Sequence, residues 1–298
     1  ITAYDAFNNL ATSYTGGKML RFSGASPSLA PSTDPTVSAI DFGLNTEITF
    51  TNGEASVDMY LYKSEVAVIV ATEILGGTAG VADGTNGITT PADIGAHVYR
   101  LTVDVSPNVA YYFAVTGNGT QIAGDNQTIT VKAYDQWNNV ATGYTGAQSI
   151  TFSGAADSPD SPKAAVSPTV DGTSFGDATS LTFTAGVATG SMILTKVEIA
   201  SVKATAGSVN TPNDYALGVE VSHAAFDYFA VTGSNTQTAG VAQTITITMY
   251  DAYNNVATDF DGSYNLRFTG ASTSLYGNVP TVDGTNFGTS TSVPFSWG

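Results

Sequence analysis

The chain contains no cysteine. That excludes a disulfide framework, a zinc–thiolate site and a cysteine nucleophile. Charge is also scarce: 11% of residues are Asp, Glu, Lys or Arg, against about a quarter in ordinary soluble proteins. Nine basic residues face 25 acidic ones, for a formal net charge of −16. This balance argues against nucleic acid, whose phosphates require clustered Lys and Arg, and against docking on anionic lipid. No run reaches the roughly 18 apolar residues of a membrane-spanning helix, and no secretory leader pattern is visible. No stretch of useful length carries the 3.6-residue period of an amphipathic helix.

The usual signs of catalysis are missing too. The two histidines, His97 and His223, fall at unrelated places, and no His/Asp/Glu group has metal-site spacing. There is no glycine-rich phosphate loop between strand and helix and no Gly-x-Ser-x-Gly elbow. Acidic residues are so numerous that naming two as a glycosidase pair would be arbitrary. The sequence gives no reason to expect an enzyme, since a catalytic function must be argued from a site.

What the chain does have is a stretch that recurs three times. Each copy places a short alternating strand before Tyr-Asp-x-aromatic-Asn-Asn, then a polar link, then a second strand ending in Ser/Thr-Gly. The anchoring acids are Asp5, Asp135 and Asp251, 130 and 116 residues apart. A period of that size marks an array of small-domain units. The strands read clearly from period two: Ile129, Val131 and Ala133 alternate with Thr128, Thr130 and Lys132, and Ile245, Ile247 and Met249 alternate with Thr244, Thr246 and Thr248. One wet and one apolar face suit antiparallel sheets packed on one side.

Only the second copy is present whole. It opens at Tyr112-Phe113-Ala114-Val115-Thr116-Gly117, matched in the third by Tyr228-Phe229-Ala230-Val231-Thr232-Gly233, and predicts seven or eight short strands, as in an immunoglobulin-like sandwich. The expected units are 1–109, lacking its first strand and carrying a Gly/Thr/Asp-rich insertion over 74–94; 110–224, complete; and 225–298, lacking its last strands. The expectation is a fragment of a longer array. Short junctions near 107–111 and 223–226 place neighbouring units nearly in line. Incomplete sandwiches expose strand edges, which strands of a neighbouring copy would complete if the protein polymerises.

The pattern resembles the tandem bacterial Ig-like repeats, the invasin/intimin-like class of large secreted and cell-surface proteins. The residues that carry it are Phe-x-Val-x-Gly, the Asp-x-aromatic-Asn-Asn turn, Tyr-x-Gly, Phe-Ser/Thr-Gly, and the segments Leu61-Tyr62-Lys63-Ser64-Glu65 and Leu194-Thr195-Lys196-Val197-Glu198. The first Asn of each pair departs from the Gly more common in that class. The resemblance implies an all-β fold of tandem Ig-like sandwiches in a rod. It also implies a non-enzymatic stalk, filament or surface layer outside a prokaryotic cell, or an adhesin or carbohydrate-binding array working through loops at the sandwich ends. The implied partners are neighbouring copies or repeats, surface glycans, and host or matrix proteins.

Two residue groups read as candidate sites. Asp5, Asn8 and Asn9, Asp135, Asn138 and Asn139, and Asp251, Asn254 and Asn255 are turn formers, because their side chains bond nearby backbone and tolerate left-handed dihedrals. Their oxygens also suggest Ca²⁺, which needs six to eight hard ligands. A second acid would have to come from elsewhere, such as Asp171 or Asp283. Asn118-Gly-Thr120 and Asn126-Gln-Thr128 are formal N-glycosylation sequons. The turn aromatics Phe7, Trp137 and Tyr253 suit either a sugar platform or, more simply, a lid on the sandwich end, as do Tyr14, Tyr144 and Phe260. Lys63/Glu65 and Lys196/Glu198 provide two of the ingredients of an isopeptide bond, yet their i, i+2 spacing on a strand favours an exposed ion pair.

Overall fold

The computed structural model describes residues 1–93 and 98–297; His97 and the last residue of the 74–94 insertion lie outside them. Among the described residues the chain is all-β, with one short 3₁₀ turn at Asn213–Tyr215. The alternating patterns became strands because each can bury one face. Asn126–Tyr134 buries Ile129, Val131 and Ala133 completely while its Thr and Lys residues stay partly wet.

In the second copy two ladders face one core. One runs through Tyr112–Thr116, Asn126–Tyr134 and Val187–Ile193, all antiparallel. The other runs through Ala178–Phe183, Gly146–Ser153, Ile199–Ala206 and Leu217–Ser222, also antiparallel. Thr120–Ile122 adds to Leu217–Ser222 in parallel. Phe113, Ile129 and Val131 from the first ladder and Ile150, Phe152, Leu181 and Val202 from the second share a single apolar cluster. Tyr144 packs edge-on to Phe183 at 4.9 Å, as Tyr14 does to Phe50 at 4.9 Å and Phe260 to Phe295 at 5.0 Å. These three aromatics therefore cover the cores of their own copies.

The Ser/Thr-Gly at the end of the second strand also has a steric cause. Gly154 takes φ 95°, and a Cβ there would collide with the Ser201 carbonyl, whose own N–H donates to the Gly154 carbonyl at 2.8 Å. Only glycine suits that backbone approach.

The other copies differ where partners differ. Around Ile1 the expected anchor strand is reduced to the bridges Thr2–Glu54 and Tyr4–Leu10. It is held on one side, by the Ala3 N–H donating to the Gly53 carbonyl at 2.8 Å and the Ala55 N–H donating to the Ile1 carbonyl at 2.9 Å, and among the described residues nothing pairs with it as Tyr112–Thr116 pairs with Asn126–Tyr134. The first copy instead builds a sheet from Asn45–Phe50, Gly16–Ser23, Val66–Leu75 and Thr85–Thr89. That last strand lies inside the polar insertion. It is tied down by Arg21, which donates to Asn45 Oδ1 at 2.8 Å and to the Asp83 carbonyl at 2.8 Å, while Asn45 donates to Asp83 Oδ1 at 2.8 Å. The Thr78 N–H, 2.7 Å from Asp83 Oδ1, is the first cause holding that carboxyl below its ordinary range. In the third copy Phe226–Thr232 pairs with Thr246–Asp251, and Gly262–Arg267 with Ser290–Phe295, over a smaller cluster of Met249, Ala257, Phe260 and Phe295.

Facing is testable within one unit. Phe152 is 1% exposed and Ile199, also in a strand, is 84% exposed. Phe152→Ala is expected to cost about 3–5 kcal/mol through lost burial and a cavity, and Ile199→Ala less than about 0.5 kcal/mol. Denaturant unfolding of the two variants measures the contrast.

Candidate functional site at the joints between repeats

The Asp-x-aromatic-Asn-Asn turn has one geometry in all three copies. The first Asn holds left-handed backbone, with φ of 65°, 67° and 66° at Asn8, Asn138 and Asn254. The Asp N–H donates to the carbonyl of the second Asn, at 2.9 Å for Asp5 and Asp135 and 3.0 Å for Asp251. The Asp side chain then turns back on its own loop. Asp135 Oδ1 accepts the N–H groups of Trp137 and Asn139, both at 2.9 Å; Asp251 Oδ1 accepts those of Tyr253 at 2.8 Å and Asn255 at 2.9 Å. In this respect the turn is what Asp and Asn chemistry predicts.

The unexpected part lies beyond the turn. Asp135 Oδ2 accepts the Asn139 Nδ2 and the backbone N–H of Asn108, in the connecting segment, both at 2.9 Å. Asn139 then reaches into the first copy: its Nδ2 donates to the Tyr62 carbonyl at 2.8 Å, and its Oδ1 accepts the Ser64 N–H at 2.8 Å. The next joint repeats this bond for bond. Asp251 Oδ2 accepts Asn255 Nδ2 and the Ala224 N–H, both at 2.9 Å. Asn255 Nδ2 donates to the Thr195 carbonyl, and Asn255 Oδ1 accepts the Val197 N–H, both at 2.9 Å. Tyr62/Ser64 and Thr195/Val197 hold equivalent places in Leu-x-Lys-x-Glu. Two motifs that look independent in the sequence are the two halves of one latch.

The Lys and Glu of that segment fix its position. Lys63–Glu65 and Lys196–Glu198 both close at 3.3 Å. The free carboxylate oxygens accept the Ser26 N–H at 2.6 Å and the Ala156 N–H at 2.8 Å, tying the segment to the loop beyond the Ser-Gly turn. The turn aromatics also act across the joint. Trp137 lies 5.4 Å from the Tyr62 ring. Tyr253 packs on the core of the second copy and against Gly124, where a Cβ would strike its ring. Expected as lids for their own units, they face the neighbour instead, because the turn projects past its own sheet ends.

The second joint has an additional clamp. Asn254 Nδ2 donates to the carbonyls of Pro159 at 2.5 Å and Lys163 at 2.8 Å. Asn254 Oδ1 accepts the Tyr228 hydroxyl at 2.6 Å, and Lys163 Nζ lies 2.5 Å from Asp227 and 3.8 Å above the Tyr228 ring. His223 sits nearby, 2.9 Å from Asp259. Asn138, in the first joint, accepts the Tyr112 hydroxyl.

At the second and third turns the oxygens that a Ca²⁺ ion would need are already engaged. The four acceptor directions of Asp135 and Asp251 are filled by N–H donors, and the Oδ1 atoms of Asn138, Asn139, Asn254 and Asn255 each accept a hydrogen bond from an N–H or O–H. A calcium ion needs those lone pairs. Asp171, the acid expected to assist, instead accepts the Ser191 N–H at 2.8 Å. In the first turn Asp5 accepts the Phe7 and Asn9 N–H groups at 2.9 and 2.8 Å. The Asn9 N–H is the first cause holding the Asp5 carboxyl below its ordinary range. Among the described residues no three acids or histidines gather around a metal-sized space.

The sequon residues Asn118 and Asn126 are both exposed and line one shallow polar depression with Gln121, Asp125 and Ser222. Asn126 Oδ1 accepts the Ser191 hydroxyl at 3.0 Å.

No family model matches the chain, and no curated protein does. Among solved structures, the chain is similar to a beta-glycosidase from Bacteroides vulgatus at 12% identity and a TM-score of 0.28, over 70% of this chain and 26% of that one. It is also similar to domains 4–9 of surface layer protein SbsC at 13% identity and a TM-score of 0.25, over 91% of this chain and 34% of that one. The chain thus spans about a quarter to a third of the length of these structures.

The latch predicts an ordered pair of effects. Asn255→Ala removes the cross-joint bonds and leaves the Thr195 carbonyl and Val197 N–H without their partner, an expected cost of about 1–3 kcal/mol. Asn255→Asp is expected to cost more, because it turns a carboxylate toward Asp251 and the Thr195 carbonyl. Lys163→Ala, which removes a half-exposed pair, is expected to cost about 1 kcal/mol or less. Denaturant titration of the three variants gives the order.

Proposed function

We propose that this chain is a non-enzymatic structural region of an extracellular or cell-surface protein. In this reading, tandem Ig-like β-sandwiches joined in line form a rod that serves as a stalk, filament or surface layer. The observation that carries the reading is the latch at Asp135/Asn139 and its bond-for-bond repetition at Asp251/Asn255. A flexible string of domains does not need buried, fully bonded carboxylates at its joints; a spacer that transmits length and direction does. The low charge, acidic balance and resemblance to bacterial Ig-like repeats agree with a surface setting. No helix among the described residues is long and apolar enough to cross a membrane.

The alternative, an adhesin or glycan-binding array built on the turn aromatics, has less support. Trp137 and Tyr253 are turned onto the neighbouring copy rather than presented to a ligand.

Small-angle scattering of the full chain tests the rigid-joint reading. We expect a narrow distribution of particle lengths for the native chain and a clearly broader one for the Asn139→Ala/Asn255→Ala double variant. Equally broad distributions for both would overturn it. Immunogold electron microscopy of native cells tests the setting, with label expected on surface rods, filaments or sheets.

A further inference from the structure

The first copy carries the same turn, and its Asp5 and Asn9 have fewer partners among the described residues than their counterparts. Asp5 folds onto its own loop as Asp135 and Asp251 do, the Tyr4–Leu10 bridge matches Tyr134–Val140 and Tyr250–Val256, and the left-handed Asn is in place. What differs is the face turned outward. Asn9 Oδ1, the counterpart of the atoms that accept Ser64 and Val197, has no partner among the described residues. Asn9 Nδ2 bonds only to Asp5, at 3.1 and 3.3 Å. Asp5 Oδ2 accepts that one donor, where Asp135 and Asp251 each accept a second from the connecting segment. Phe7 is 87% exposed, whereas Trp137 and Tyr253 are partly buried against a neighbour.

We infer that the Asp5–Asn9 turn is a docking surface for the Leu-x-Lys-x-Glu segment of another repeat of this kind. The inference rests on the reading of the turn as a joint. The occupant is defined by the two filled examples. It presents a backbone carbonyl at the second position of the segment to Asn9 Nδ2 and a backbone N–H at the fourth position to Asn9 Oδ1. Its Lys and Glu pair with each other, and a residue at the second position covers Phe7. Asn108 and Ala224, the fourth donors at the two filled examples, belong to the chain that leads into each turn, so a complete match at Asp5 Oδ2 takes one more backbone N–H. Both Leu-x-Lys-x-Glu segments of this chain are already engaged by Asn139 and Asn255, so the occupant is a further repeat.

The test supplies that repeat. Ile1 is the equivalent of Ile247, so residues 110–246 are fused directly ahead of Ile1 of the full chain, and chymotrypsin cleavage after Phe7 is followed under native conditions. Cleavage tracks the open population, and two to three regained hydrogen bonds correspond to roughly a tenfold or greater loss of it. We expect cleavage at Phe7 to slow by about that factor in the fused chain. Most of the protection should be lost with Asn9→Ala, or with Val197→Pro in the added copy, which deletes the donor for Asn9 Oδ1. Unchanged cleavage in the fused chain overturns the proposal. So does protection that survives both substitutions, because simple completion of the sheet by the added strand would protect without Asn9. If the scattering of Asn139→Ala/Asn255→Ala shows the internal joints to be latched while the fusion fails to protect Phe7, the joint reading stands and only this extension falls.

Discussion

A carboxylate with four N–H donors and no solvent is the constraint from which the joints follow. Asp135 and Asp251 are each 0% exposed. A buried charge is costly unless its lone pairs are filled, and charge-assisted bonds from N–H groups are the strong kind that can fill them. The donors come from different places: two from the turn backbone, one from the Asn side chain, one from the segment linking the copies. The carboxylate is satisfied only when turn, linker and Asn are all in position. Once Asn139 or Asn255 is held this way, its remaining N–H and its carbonyl oxygen point at the neighbouring copy in fixed directions. Orientation between copies is thus set by a side chain whose own orientation is set by a buried charge.

The acid cannot be replaced by its amide on these terms. An Asn at 135 or 251 would put two donors where two N–H groups already point inward, and would accept at one oxygen only. Asn at 139 or 255 is equally constrained, since it must donate to a carbonyl on one side and accept an N–H on the other. The pairing of one Asp with one Asn four residues later therefore has a chemical reason, and it appears in all three copies. The residue between them, Asn8, Asn138 or Asn254, is needed for its left-handed backbone and does separate work with its side chain.

Much of this was legible in the sequence, and the part that was not has a specific cause. The turn, its left-handed Asn, the alternating strands and the Lys–Glu pairing follow from local chemistry that depends on side-chain identity, although both pairs are partly buried where an exposed pair is expected. The strand at Asn126–Tyr134 formed as its pattern indicates. The joint could not be read, because the neighbour contributes backbone atoms: the carbonyls of Tyr62 and Thr195 and the N–H groups of Ser64 and Val197. Nothing in those side chains marks the role, and the paired positions differ between copies. The one available signal was the recurrence of Leu-x-Lys-x-Glu once between successive turns. The insertion was misleading in another way. Its composition reads as loop, yet Arg21, Asn45 and Asp83 organise it enough to add the strand Thr85–Thr89.

The two joints share a latch but not the same set of contacts. The second adds the Asn254 bonds to the loop bearing Pro159 and Lys163, and a cation over the Tyr228 ring; the corresponding loop of the first copy, with Leu29 72% exposed, adds no such clamp. Exposed charges are screened by salt while buried, bonded ones are screened little. The added clamp, with its half-exposed ion pair, is therefore the more salt-sensitive of the two, and the shared latch is screened little. For elements in series, bending compliances add, so the overall direction of the chain is governed by the joint with fewer contacts. That joint is the one at Asp135, held by the latch and the Trp137–Tyr62 contact. On the reading proposed above, the flexibility of such an array depends on how many loops reach across to the Asn-Asn turn, as the loop bearing Pro159 and Lys163 does at the second joint.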